Sequence, residues 1–210
     1  MKRQIYTTCV LVLTFFLCIF YLVQVARAKD GQENEKASVG RNHHIVATKT
    51  GEYQKMETAI FGAGCFWGVE ETFRHLPGVV STSVGYSGGR LKDPTYEDVC
   101  SGTTGHTEAV KVEYDPSKIK YPQLLKVFFE NHDPTTPNRQ GPDLGYQYRS
   151  VIFYTSPEQK TEAEALKEEY AKSKKFSRPI VTAIEPASAF YDAEEYHQRY
   201  LEKHGMKICH

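Results

Sequence analysis

The chain has 210 residues, 40% of them hydrophobic and 25% charged, and its 26 Lys and Arg balance 26 Asp and Glu. A formal net charge of zero leaves no surplus of positive charge to follow a phosphate backbone, which argues against nucleic-acid binding. Beyond its N-terminal segment the chain suits one domain, which at this size buries roughly 70% of its unfolded surface and needs no disulfide staples.

In chain order, Lys2 and Arg3 precede a nearly uncharged run over residues 5–25, and Ala26-Arg27-Ala28 puts small residues where a signal peptidase reads. Residues 1–28 are therefore expected to be an export segment cleaved after Ala28. The run is also long enough to span a bilayer, so an uncleaved membrane anchor is the alternative. The protein is then periplasmic or secreted, and meets a membrane only through that segment. Residues 29–55 are polar and aperiodic, the composition of a linker that cannot bury enough to order itself, and His43 and His44 within it read as solvated. Of the five cysteines, Cys9 and Cys18 lie in the apolar run, whereas Cys65, Cys100 and Cys209 form no C-x-x-C pair. Neither a zinc knuckle nor a thioredoxin-type motif is indicated, and the odd count leaves at least one thiol over.

The folded domain is expected over 56–210. Residues 58–61 read as a short apolar strand, Gly62 and Gly64 permit a tight turn, and Val69, Phe73 and Leu76 recur at helical spacing from Phe66 until Pro77-Gly78. Cys65 is thereby placed in the first helical turn, beside Phe66 and Trp67. There the helix N–H groups and dipole favour an anion, so the thiol should ionise more readily than an ordinary cysteine and act as a nucleophile. A buried structural cysteine among core aromatics is the competing reading.

A strand follows over 79–84, then a turn over 85–89, and the segment from Tyr96 to Cys100 leads through a loop from Ser101 to His106. Strict alternation over 108–114 puts Val110, Val112 and Tyr114 on one strand face, and Glu108 shares it. A carboxylate there must be paired, hydrogen-bonded or protonated, unless its place at the strand end lets it reach water. Residues 121–131 read as a helix carrying Leu124, Leu125, Phe128 and Phe129. Residues 133–148 form a long aperiodic loop, of the kind that domains keep for function. A strand over 150–154 precedes a helix with Ser156 as N-cap, Pro157 at its first position and Gln159 as capping-box partner. Ala163, Leu166 and Tyr170 form that helix's inward stripe. A strand over 180–184, a final helix over 192–203 and a short tail complete the chain. This order predicts an α+β fold, with helices on one face of a mixed sheet.

Gly64-Cys65-Phe66-Trp67, Gly85-Tyr86-Ser87-Gly88-Gly89, the run from Gly102 to His106 before Glu108, and the run from His132 to Gly141 with Gln147-Tyr148-Arg149 together resemble the class A peptide methionine sulfoxide reductases. Each string alone is weak; all of them in family order, over about residues 56–200, make the resemblance specific. It implies a ferredoxin-like two-layer core and reduction of the S epimer of methionine sulfoxide, free or in proteins. Carried over by position, Cys65 resembles the nucleophile, Glu108 the acid that protonates the sulfoxide oxygen, Tyr96 and Tyr148 the hydroxyls that hold that oxygen, and Asp143 a supporting carboxylate. Phe66 and Trp67 resemble the aromatic wall around the substrate methyl group. The chemistry calls for these types independently, because thiolate attack on a sulfoxide sulfur requires a proton donor for the departing oxygen.

The resemblance further implies a sulfenic acid on Cys65, which a second thiol can resolve; Cys209, in a short tail beyond the final helix, is the candidate and Cys100 the competitor, with the reductant acting on the sulfenic acid directly as the alternative. It implies no metal or organic cofactor. Electrons come from an external reductant, a thioredoxin-like protein or dithiothreitol; the other partners are methionine sulfoxide and oxidised proteins, and the enzyme is expected to be a monomer. Thr107 and Tyr146 are larger than the family usually has at these places, which bears on pocket shape. Competing functions are a cysteine-based peroxidase or acyl-transfer enzyme using His75 or His106 as base, and a non-catalytic module that binds exposed methionines.

Overall fold

A computed structural model of the chain describes residues 45–47 and 53–206. The expected export segment, the pair His43 and His44, and Cys209 lie outside the described residues. Inside the stretch read as linker, β1 (Ile45–Ala47) and β2 (Tyr53–Lys55) pair as an antiparallel ribbon.

The domain then runs β3 (Glu57–Ala63), α1 (Phe66–Arg74), β4 (Val79–Ser87), α2 (Tyr96–Cys100), β5 (Thr107–Tyr114), α3 (Tyr121–Glu130), β6 (Arg139–Gln140), β7 (Asp143–Leu144), a 3-10 turn (Tyr146–Tyr148), β8 (Ser150–Tyr154), α4 (Pro157–Lys172), β9 (Ala183–Pro186), β10 (Phe190–Asp192) and α5 (Tyr200–Lys203). Six strands form one sheet in the order β10-β4-β5-β3-β8-β9, antiparallel throughout except for the parallel pair β8 and β9. Its centre, β3-α1-β4-β5-α3-β8, is the βαββαβ unit of a ferredoxin-like fold. The α+β expectation is thus met. Among the described residues no helix is long and apolar enough to cross a membrane.

Strand alternation decides what each face meets. Ala59, Phe61 and Ala63 of β3 join Val110, Val112 and Tyr114 of β5 under Phe73, Leu124, Phe128 and Phe129 of the helices. Phe61 lies at the centre, its ring 4.9 Å from that of Phe73 and 5.3 Å from that of Phe128. Truncating such a ring to Ala costs about 3–5 kcal/mol. The opposite face buries Ile60, Ala109, Val151 and Phe153 beneath Ala187 and Phe190. With both faces covered, a slip of one residue in β3 or β5 would exchange the two cores, so their register is tightly specified.

Several boundaries differ from the sequence reading. β4 continues through Gly85 and Tyr86 to Ser87, expected as a turn, because β10 pairs there; a Cβ on Gly85 would stand 2.2 Å from the Tyr191 carbonyl oxygen. Tyr96 to Cys100, ahead of the expected loop, forms a short helix capped by a reciprocal Thr95 and Asp98 box. At α4, Ser156 accepts from the Gln159 amide, but the Gln159 side chain accepts from Thr155 N rather than closing the box. β9 begins at Ala183, later than expected. The final helix spans only Tyr200–Lys203, because Arg199 adopts φ +52°, a left-handed conformation that an α-helix cannot carry.

Candidate active site

Gly64 connects β3 to α1 with φ +94°, and a Cβ there would lie 2.6 Å from Cβ and Cγ of Gln140, so the turn admits only glycine. Cys65 follows as the N-cap of α1, one position earlier than the first turn, and is half-buried. Its carbonyl accepts the amide of Val69. The first N–H of the helix, that of Phe66, does not wait for the thiol: it donates to Glu108 Oε2 at 3.1 Å.

Glu108 stands opposite Tyr86 on the helix-facing side of β5 and is 2% exposed, so the reading in which it reaches water fails. Burial pushes its carboxyl up to about 8; the Phe66 amide opposes the rise, and the nearby charge of Asp143 adds to it. At neutral pH this group carries a proton.

The other expected oxygen-binding groups face the same centre. Tyr148, on the 3-10 turn, is held above the usual phenol range by burial, then by Glu108, Cys100, Asp143 and Cys65. Tyr96 is raised by burial and by donating its hydroxyl to the Cys100 thiol, with Glu108 close enough to contribute. Both phenols therefore remain hydrogen-bond donors. Cys65 and Asp143 line a groove of about 910 Å³ that passes along α1 to Gly205 and Met206. Cys100, expected inside the folded body, is exposed at the end of α2; burial of its sulfur and the charges of Glu108 and Glu194 push its thiol up, against the opposing hydrogen bond from Tyr96.

Trp67 is half-buried with Tyr200 stacked on it at 3.8 Å, and its Nε1–H donates to His197 Nδ1 at 3.1 Å. Phe66 is fully buried, so it forms the floor, its ring 5.1 Å from that of His197. The His197 ring is also 4.6 Å from that of Tyr96. Glu194 completes this support, accepting from the Tyr86 hydroxyl at 3.0 Å and the Tyr96 amide at 2.9 Å. Sequence reasoning missed His197, Tyr200 and Glu194. The available signal was the single indole N–H of the chain, which needs an acceptor when buried, but that acceptor lies 130 positions away.

The two histidines proposed for a cysteine-histidine hydrolase serve elsewhere. His106 Nδ1 accepts from the Gly89 amide and its Nε2 bonds the Leu91 carbonyl, so both ring nitrogens are committed. His75 pairs with Glu71 at the far end of α1, roughly 15 Å of helix rise from Cys65. Among the described residues no group of three or more His, Cys, Asp or Glu side chains could hold a metal ion.

Comparison with known proteins agrees with this geometry. The profile of the Peptide methionine sulfoxide reductase family matches residues 57–210. A peptide methionine sulfoxide reductase MsrA of Methanoculleus marisnigri is 62% identical over 156 residues, covering 74% of this chain and 95% of that protein. Methionine sulfoxide reductase A of Corynebacterium diphtheriae superposes with a TM-score of 0.68 at 42% identity, over 73% of this chain and 77% of its own. Mxr1 of Saccharomyces cerevisiae in its reduced form gives 0.70 at 39%, over 79% and 92%, and Mxr1 in complex with Trx2 gives 0.51 at 31%, over 74% and 89%. With the fold, the ordered motifs and these relatives in agreement, the chain belongs to the peptide methionine sulfoxide reductase family, enzymes that return methionine sulfoxide to methionine.

Proposed function

We propose that Cys65 attacks the sulfur of an S-epimer methionine sulfoxide while Glu108 gives its proton to the sulfoxide oxygen, which Tyr96 and Tyr148 hold by hydrogen bonds. The sulfoxide sulfur gains two electrons and leaves as the thioether, and Cys65 loses two and becomes a sulfenic acid. The observation that carries this reading is the buried Glu108 carboxyl, raised to about 8 and bonded to the amide next to the nucleophile. It is a proton donor stationed where the leaving oxygen needs one. Trp67 and Phe66 supply the apolar surface for the S-methyl group, and Asp143 reinforces the proton on Glu108 through its charge.

The Cys209 thiol then condenses with the sulfenic acid, forming the Cys65–Cys209 disulfide and releasing water. The groove supports this route: it runs from Cys65 to Met206, three residues before Cys209 in the sequence. A thioredoxin-like dithiol reduces the disulfide, consistent with the complex formed by the yeast relative. The protein acts after export, released or tethered by residues 1–28.

The test is one equivalent of S-sulfoxide substrate without reductant, followed by mass-spectrometric mapping. A Cys65–Cys209 bridge is expected, and Cys65→Ser should form neither bridge nor methionine. A Cys65–Cys100 bridge would transfer the resolving role, and methionine formation by Cys65→Ser would defeat the mechanism.

A further inference from the structure

Glu70 is a fully buried carboxylate that the proposed chemistry does not use. It lies on α1, three residues after Trp67, and is 1% exposed. Oε1 accepts from the Thr82 hydroxyl on β4 at 3.0 Å, and Oε2 accepts from the backbone amide of Arg199 at 2.8 Å. The guanidinium groups of Arg74 and Arg199 are the positive charges near it.

The second of these bonds has a particular place in the chain. Arg199 is the residue with φ +52° and ψ +41° that ends the turns after residue 193 and starts α5. On one side of it stands His197, the acceptor of the Trp67 indole N–H; on the other stands Tyr200, stacked on the indole at 3.8 Å with planes 9° apart. A left-handed arginine has no glycine-like freedom and persists only where its surroundings impose it. The Glu70 carboxylate is what fastens its amide to α1.

We infer that Glu70 is a positioning residue for substrate binding: by holding the Arg199 amide it fixes the turn that delivers both His197 and Tyr200 to Trp67. The inference rests on the assignment of Trp67 as the substrate wall. Its distinguishing feature is that reach matters and charge does not. Glu70→Gln keeps the length, accepts from Arg199 with its carbonyl and donates to Thr82 with its amide, so both contacts survive without the charge. Glu70→Asp keeps the charge but draws the carboxylate back by one methylene, about 1.5 Å, and loses the Arg199 amide.

The experiment compares Glu70→Asp, Glu70→Gln and Trp67→Ala in dithiothreitol-driven reduction of an S-sulfoxide peptide, with intrinsic fluorescence read on both Glu70 variants. Trp67 is the only tryptophan of the chain, so emission reports its surroundings alone. Glu70→Asp should red-shift the emission and raise KM about tenfold with kcat changed less than threefold, while Glu70→Gln stays within twofold of the parent in both. Equal defects in the two Glu70 variants, or a folded Glu70→Asp with unshifted emission, would overturn the inference. So would an unchanged KM in Glu70→Asp where Trp67→Ala raises it. An unchanged KM in Trp67→Ala sinks the wall assignment instead, and fluorescence still reads the tether. Should Glu70→Asp fail to fold, Thr82→Val serves: it removes the other hydrogen bond, leaves the Arg199 contact, and must leave KM and emission unaltered.

Discussion

Replacing Glu108 with Gln removes a proton and little else: the side chain keeps its size, and its carbonyl can still accept the Phe66 amide at the 3.1 Å position. A carboxyl raised from 4.5 to about 8 holds its proton in about nine of ten molecules at pH 7. General-acid catalysis by such a group contributes about 10²–10⁴-fold, so Glu108→Gln should lose that much in kcat at pH 7 with KM little changed. The parent rate should fall about tenfold per pH unit above about 8, and the variant should lack that limb. Stability supplies an independent reading. Because the folded value is raised, the native state binds the extra proton between 4.5 and about 8, so this stabilising contribution is complete below pH 4.5 and is lost as pH rises through 8. The difference amounts to about 5 kcal/mol, and Glu108→Gln, which cannot ionise, should not lose it. Denaturant unfolding from pH 5 to 9 and single-turnover methionine formation measure the two effects. Turnover within about threefold of the parent at pH 7, or parallel stability curves for parent and variant, would refute the buried-acid argument.

Trp67→Ala removes the stacked indole and should raise KM about 30-fold, near 2 kcal/mol, with kcat less affected; unaltered substrate affinity counts against the wall. Gly64→Ala forces a Cβ against Gln140 at φ +94°, and thermal unfolding should drop by about 2–10 °C; an unchanged midpoint would show that the turn tolerates a side chain. Cleavage after Ala28 predicts a mature chain beginning at Lys29, and N-terminal sequencing of the exported protein decides between it and a retained anchor; soluble full-length protein in the cytosol defeats both.

Where the sequence was legible, a local rule was sufficient. The strand over Ser150–Tyr154 is read correctly because both its faces are buried and every residue is apolar or small. The helix Tyr121–Glu130 is read from its spacing of Leu124, Leu125, Phe128 and Phe129. Two of the misreadings have a distant cause. Gly85 looks like a turn residue until β10 arrives from a hundred positions on and needs the close approach that glycine allows. The segment before Tyr200 looks helical because its composition is helical, but the Arg199 amide is claimed by Glu70, and a long-range hydrogen bond outweighs the local preference.

The site divides along the same line. Cys65 and Glu108 can be found from sequence because each breaks a local pattern, a thiol between glycines at a helix start and a carboxylate on an apolar strand face. Both violations carry a free-energy cost that function explains. His197 and Tyr200 break no pattern: an aromatic and a histidine in a short polar turn look ordinary, and only the indole they surround gives them meaning. Sequence therefore exposes the residues to which the proposal gives the chemistry, whereas the residues packed around them emerge only once the sheet has carried α1 and the C-terminal turn together. The same logic locates Glu70. A carboxylate in the middle of α1 reads as a surface charge in the sequence, yet the fold turns it inward, where the Arg199 amide and the Thr82 hydroxyl satisfy its two oxygens.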